Sequence, residues 1–295
     1  MYNVIYPVLL VLILFLLPSL AWGEEGYKNL EAGLEPYIQQ VDGGKGTINW
    51  TEGRIYAVGS SRIPENIHQD QELSLKIAER EALLQARKKL REILLDIEVN
   101  PAGNLRNTIR ENPQAQEGFR TLVQHSLVWD TVYYHHPRNN VEVHVYLDLW
   151  DKSIRSLLPD RVFVSWDQGR DGLPVRHILG GCRIYLDARE SGLKPVLVPV
   201  ILDDEGNILF RASILGPEPR ESQSRVGYTR VDKEGQVTRR YELGPQGFSI
   251  EAQDSQDSTG NKIVLSQEES ERLQEFLEQY SVQECPILII MNDDQ

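Results

Sequence analysis

The chain has 295 residues and a formal net charge of -13, with 40% hydrophobic and 25% charged residues. That composition is globular and not disordered. So large a negative charge repels other polyanions, which argues against nucleic acid and anionic lipid surfaces as partners.

Val8 to Leu17 is an unbroken apolar stretch, Pro18 breaks it, and Ala21-Trp22-Gly23 puts small residues at the minus-three and minus-one positions of a cleavage site. This reads as a signal peptide, residues 1–23, removed after Gly23, with a periplasmic or secreted product. Residues 1–7 carry no Lys or Arg, and Val4 to Trp22 is just long enough to span a bilayer. The alternative is therefore an uncleaved inner-membrane anchor, the one route by which this chain would engage a membrane. No cysteine follows the apolar stretch, which argues against a lipid-modified N-terminus. About 270 residues remain, enough for one large or two ordinary domains.

Residues 24–45 have little periodicity and a flexible break at Asp42-Gly43-Gly44, and are expected to be a linker. A first domain, 46–160, opens with INWTEGRIYAVGSS, where Ile48 and Trp50 alternate with polar residues. Glu52-Gly53 turns the chain, and Ile55, Ala57 and Gly59 continue with period two, so a hairpin is predicted. From Gln71 to Ile97 the spacing becomes helical, with Leu75, Ala78, Ala82, Ala86, Leu90, Ile93 and Ile97 on one stripe. Such a stripe buries one face of a long helix on a sheet, and its alanines permit close approach. A second helical stretch, Leu105 to Gln124, is interrupted near Pro113. Next comes SLVWDTVYYHHPRNNVEVHVYLDLW, in which Val141, Val143, Val145, Leu147 and Leu149 alternate with Glu142, His144, Tyr146 and Asp148. This predicts a strand with one wet face, paired to its predecessor through a turn at Pro137 to Asn140.

The second domain, 161–295, is rich in strands. Leu202 to Ile208 (LDDEGNI) and Val231 to Val237 (VDKEGQV) share one turn chemistry, an Asp to open and Gly206 or Gly235 for a left-handed residue. Pro195 and Pro199, four apart, remove two donors from one strand edge, which would face solvent, a bulge or a loop. Ser266 to Glu269 is a capping box before a helix whose buried face is Leu273, Phe276, Leu277 and Tyr280. Ile287 to Met291 then reads as a buried strand, giving a strand-helix-strand unit with an expected right-handed crossover. The fold class is α+β: an antiparallel sheet packed by a long helix, followed by a second strand-rich α+β block ending in that unit.

Little here carries chemistry. Asp203, Asp204 and Glu205 lack the alternating ligands and distal Glu of a calcium loop and read as a turn. Asp187 and Arg189, two apart, would pair on one strand face. His135, Glu142 and His144 are the best metal-like set, but no third nitrogen is in sight, and no metal or cofactor is expected. An even-length turn would put them on one face with Trp129, Tyr133 and Tyr146. That face, Trp129, Tyr133, His135, His144 and Tyr146, is the candidate contact surface for protein or glycan, since clustered exposed aromatics mark contact sites. Cys182 and Cys285 are the only cysteines, each just before a strand-like run. In an oxidising compartment they could be bridged, or they could be two buried thiols. No Gly-x-Ser-x-Gly elbow occurs, and DGGKGT (Asp42 to Thr47) only imitates a phosphate loop.

At Trp50, Gly53, Ile55, Ala57 and Gly59, followed by Ala78, Ala82, Ala86 and Leu90, residues 46–155 resemble the Lpp-twenty-like envelope lipoproteins and the N-terminal domain of flagellar assembly protein T. The lipobox cysteine of the lipoproteins is missing. Asp187, Ala188, Arg189, Gly192, Pro195, Pro199, Asp203 and Gly206 resemble a pattern in the C-terminal part of uncharacterised exported bacterial proteins, with Glu190 in place of a glycine. These resemblances imply a non-enzymatic envelope role, as a structural or assembly factor acting on other envelope proteins. The alternatives are a glycan-binding module and a metal-dependent hydrolase.

Overall fold

The computed structural model describes residues 34–64, 71–101, 103–110, 112–135, 139–149, 151–159, 183–211, 226–231, 247–253, 262–279 and 287–292. The protein is α+β, and the described residues form a five-stranded sheet, an eight-stranded sheet and a two-stranded ribbon. The first sheet has the order β2 (Ile38–Val41), β3 (Gly46–Asn49), β4 (Arg54–Arg62), β8 (Asn140–Asp148), β7 (Leu127–Tyr134), all antiparallel. One face is covered by α1 (Gln71–Asp96). Ala78, Ala82 and Ala86 are fully buried there, so the alanine stripe does what its spacing predicts. The fit is tight at Gly59, where an added Cβ would fall 1.9 Å from the Ala82 carbonyl oxygen and 2.4 Å from the Ala86 nitrogen. Only glycine lets helix and strand come so close.

Two shorter helices follow a small ribbon of β5 (Glu98–Asn100) and β6 (Gly103–Asn104). They are α2 (Leu105–Arg110) and α3 (Pro113–Gln124). The break between them is chemical: Asn112 caps α3 by accepting from the Gln114 and Ala115 amides, with Pro113 at the first helical position. A single turn, α4 (Lys152–Arg155), closes the block.

The second sheet runs in the order β1 (Leu34–Pro36), β12 (Val226–Val231), β15 (Ile287–Met291), β9 (Arg183–Asp187), β13 (Gly247–Gln253), β14 (Lys262–Leu265), β10 (Val200–Leu202), β11 (Ile208–Arg211). Its centre, β12-β15-β9-β13, is parallel. α5 (Gln267–Gln279) joins β14 to β15, with Ser266 Oγ accepting from the Glu269 amide. Leu273 is buried and Phe276 stacks on Phe248 at 4.4 Å. The Leu277 side chain and Tyr280 lie outside the described residues. The expected right-handed crossover is corrected: β14 is antiparallel to β13, which is parallel to β9 and so to β15. Two strands separate the ends of the unit, and the handedness rule applies only to parallel strands.

Two expectations for the regions between elements also change. Where a linker was expected, Leu34–Pro36 joins the second sheet and Ile38–Val41 the first. The single residue between them, Tyr37, is buried. Its N–H donates to Thr51 Oγ1 at 2.8 Å and its carbonyl accepts from Trp50 N–H at 3.0 Å. Pro195 and Pro199 do not edge a solvent-facing strand, because Pro195 to Pro199 is a buried irregular strap leading into β10. The N–H groups between the prolines are all used: Leu197 donates to Glu98 O, Val198 to Val99 O, and Val196 to Tyr228 Oη at 3.1 Å. Proline carries no N–H, so neither position adds a buried donor that would need an acceptor. The Asp203 turn is as expected, with Gly206 at φ +87° and Asn207 N–H donating to Asp203 Oδ1 at 2.7 Å. The Val231 to Val237 turn lies beyond Val231, outside the described residues.

Buried side chains of both blocks form one continuous core, from Ile55, Leu90 and Val145 to Ile184, Tyr228 and Ile289.

Candidate functional site

With α1 on one face, the other face of the first sheet is left uncovered among the described residues. The period of β8 decides what it shows: Val141, Val143, Val145 and Leu147 point to the core, and Glu142, His144, Tyr146 and Asp148 point away. β4 adds Arg54, Tyr56 and Val58 on that outer face, opposite Asp148, Tyr146 and His144.

The contribution of β7 depends on a bulge. Its register against β8 shifts between Val128 and Asp130, and this extra residue turns Trp129 onto the outer face. Trp129 meets His144 edge to face at 5.4 Å and Tyr56 at 6.4 Å, while Tyr56 lies 6.2 Å from Tyr146. The Arg54 guanidinium sits over the Tyr146 ring at 5.6 Å and 3.6 Å from Glu52 Oε2. Tyr134 donates to Glu142 at 3.2 Å. Trp129 remains 56% exposed, which is large for an indole on a monomer. At one end of the face a cleft of about 590 Å³ is lined by Glu117, His125, Leu127, Tyr146, Asp148 and Asp151.

Trp129, His144 and Tyr146 are thus brought together, and Tyr133 and His135 are not. Tyr134 pairs with Asn140, so the turn holds five residues and its parity is odd. Tyr133 therefore faces the helix side, where its hydroxyl donates to Glu79 Oε1 at 2.6 Å. That bond to a carboxylate holds the phenol's pKa above its ordinary value, with burial adding to the effect. His135 is exposed, past the end of β7. The metal-like set of His135, Glu142 and His144 does not assemble, because odd parity sends His135 away. Tyr56 and Arg54 were missed; their period-two positions in β4, opposite those of Ile55 and Ala57, were the available signal.

Elsewhere, Asp187 and Arg189 form a two-pronged pair, Arg189 Nε to Oδ1 at 2.8 Å and Nη2 to Oδ2 at 2.5 Å. Arg189 lies in the turn after β9, and its amide also donates to Asp187, so the pair braces a turn. Among the described residues no three His, Cys, Asp or Glu side chains form a metal-binding group. Cys182 and Cys285 lie outside the described residues.

The architecture defines an α+β protein with an exposed aromatic sheet face. Over residues 183–293, the span from β9 past β15, the chain is similar to a family described as Treponema pallidum Tp0624, second domain. No curated protein matches the chain.

Proposed function

We propose that this is an exported, non-enzymatic cell-envelope protein that serves as a structural or assembly factor, and that it holds its partner on the outer face of the five-stranded sheet. The observation that carries the reading is Trp129, lifted by a bulge onto an uncovered face beside Tyr56, His144 and Tyr146. Aromatic residues with an adjacent arginine are the side chains that dominate protein contact energies. The likeness of residues 46–155 to Lpp-twenty-like lipoproteins and to the flagellar assembly protein T domain supports an envelope setting. So does the apolar segment before Gly23.

Protein is favoured over glycan by the ring geometry. Trp129 stands at 79° to Tyr56 and 77° to His144, and Tyr56 is tilted 35° from Tyr146, so the rings form an uneven cluster and not a coplanar row that would seat successive sugars. The test is site-specific photocrosslinking in whole cells from positions 56 and 129, with exposed Asp204 in the turn between β10 and β11 as the control position. Discrete protein adducts from the face, lost when Tyr146 is replaced by Ser, support the reading. Adducts equal to the control, or retention of the intact protein on peptidoglycan through Trp129, reject it.

A further inference from the structure

α1 has a second face. Opposite the alanines, Leu73, Ile77, Arg80, Leu84, Arg87, Lys88 and Arg91 fall within an arc of about 100° at 100° per residue. Leu73, Ile77 and Leu84 are 47%, 40% and 59% exposed. The spacing 73, 77, 80, 84, 87, 91 alternates four and three, as a heptad seam does, with apolar residues at Leu73, Ile77 and Leu84 and arginine at the other three.

The charges on this ridge are one-sided. The acidic residues of α1 are engaged elsewhere: Glu72 with Lys76, Glu79 with Tyr133, Glu81 with Ser61, Glu92 with Lys45 and Asp96 with Arg106. Arg80, Lys88 and Arg91 have no carboxylate partner among the described residues. In a chain of net charge -13 this is a local reversal of sign. The ridge also borders a groove of about 510 Å³, where Leu84 and Val123 face Arg87, Lys88, Arg91 and His125.

We infer that this groove receives an acidic amphipathic helix of a partner protein, with apolar residues on Leu84 and Val123 and carboxylates on Lys88 and Arg91. A second copy of the chain fits poorly. Side by side in parallel, the ridges would put Arg80, Lys88 and Arg91 against themselves. Antiparallel at full overlap, Leu73 would meet Arg91, Ile77 would meet Arg87 and Leu84 would meet Arg80. Charge complementarity selects glutamate-rich or aspartate-rich partners, and a groove suits a helix better than a flat membrane surface does.

The probe is a labelled synthetic helix with leucine at its a and d positions and glutamate elsewhere, titrated into the full chain and followed by anisotropy. It should bind, weaken with added salt, and lose about tenfold or more in affinity with Leu84→Glu or with Lys88→Glu plus Arg91→Glu. A lysine version of the peptide should bind the doubly reversed variant and not the wild type, a rescue that misfolding cannot produce. Tyr146→Ser should leave this binding unchanged, which separates the groove from the sheet face. Equal binding to wild type and reversed variant overturns the inference. So does binding to phosphatidylglycerol vesicles without binding to the peptide, or concentration-dependent dimerisation abolished by Leu84→Glu.

Discussion

The indole of Trp50 meets the ring of Tyr228 edge to face, with centroids 5.6 Å apart and planes at 71°, across the boundary between the two sheets. Trp50 also donates from Nε1 to Gln39 at 2.8 Å, and Thr51 donates its hydroxyl to the Tyr228 carbonyl. The Tyr228 hydroxyl donates to Val196 O at 2.8 Å and accepts from Val196 N–H. One tyrosine thus ties the hairpin of the first block to the strap of the second.

Tyr228→Phe should therefore cost about 1 to 3 kcal/mol, because it leaves both polar groups of Val196 buried and unpaired. Urea denaturation measures this; a loss below about 0.5 kcal/mol would mean that water reaches the strap. Burial also holds the Tyr228 phenol well above the ordinary tyrosine range. A raised folded-state pKa means that its stabilisation is whole below pH about 10, where the unfolded tyrosine is still neutral. It is lost as pH rises further, because the unfolded chain ionises first. The slope of stability against pH above about 10 should be shallower in Tyr228→Phe than in the wild type.

Two glycines should respond to substitution for opposite reasons. Gly206 has open space around it and a left-handed backbone, so Gly206→Val should cost about 1 kcal/mol or somewhat more through strain alone. Gly59 sits against Ala82 and Ala86, so Gly59→Ala forces α1 off the sheet and should cost about 1 to 3 kcal/mol or more. Thermal melts of both variants give the comparison, and Gly59→Ala behaving like the wild type would contradict the close packing. Calcium should leave the melting temperature of the wild type unchanged. The Asp203 carboxyl is held below its ordinary range by hydrogen bonds from Asn207, so its support of the turn is present at neutral pH and fades as acid protonates it.

Cys182 and Cys285 each stand two residues before partners in adjacent parallel strands, since Ile184 lies opposite Ile287. A disulfide is the expected state of the exported protein. Its closed loop should stabilise by about 4 to 5 kcal/mol in the chain-entropy account. Thiol titration in denaturant without reductant should find no free thiol. Two reactive thiols would reject the bridge.

Export should yield a product starting at Glu24. Intact-mass measurement on the periplasmic fraction decides it, and a membrane-bound species retaining Met1 would establish the anchor instead. Among the described residues no helix is long and apolar enough to cross a membrane.

Strong periodicity was legible in the sequence, and one-residue events were not. Val141 to Leu147 could alternate only as a half-buried strand, and Ala78, Ala82 and Ala86 could bury only one helix face. The bulge at Val128 to Asp130 and the five-residue turn before Asn140 each flip parity, and no residue type announces either. Trp129, His144 and Tyr146 were therefore found as a group, with Tyr133 and His135 wrongly among them. The prolines of the strap told which N–H groups were missing, not that Glu98 and Val99 would supply acceptors to the residues between. Leu34 to Val41 was unreadable for a similar reason: two strands of three and four residues, serving different sheets, are too short to show a period.

The crossing at Tyr37 has a mechanical consequence. A pull on the chain ahead of Leu34 loads β1 along its pairing with β12, where Glu35 and Arg230 are joined at 2.7 Å. If β1 gives way, the load passes through Tyr37 directly to β2 and the edge of the other sheet. Neither block can be cut out whole at a single point in the chain. Residues 46–160 expressed alone would lack β2, and residues 161–295 alone would lack β1. A transplant of either block whole must therefore carry the crossing segment with it, because Tyr37 passes load from one sheet to the other.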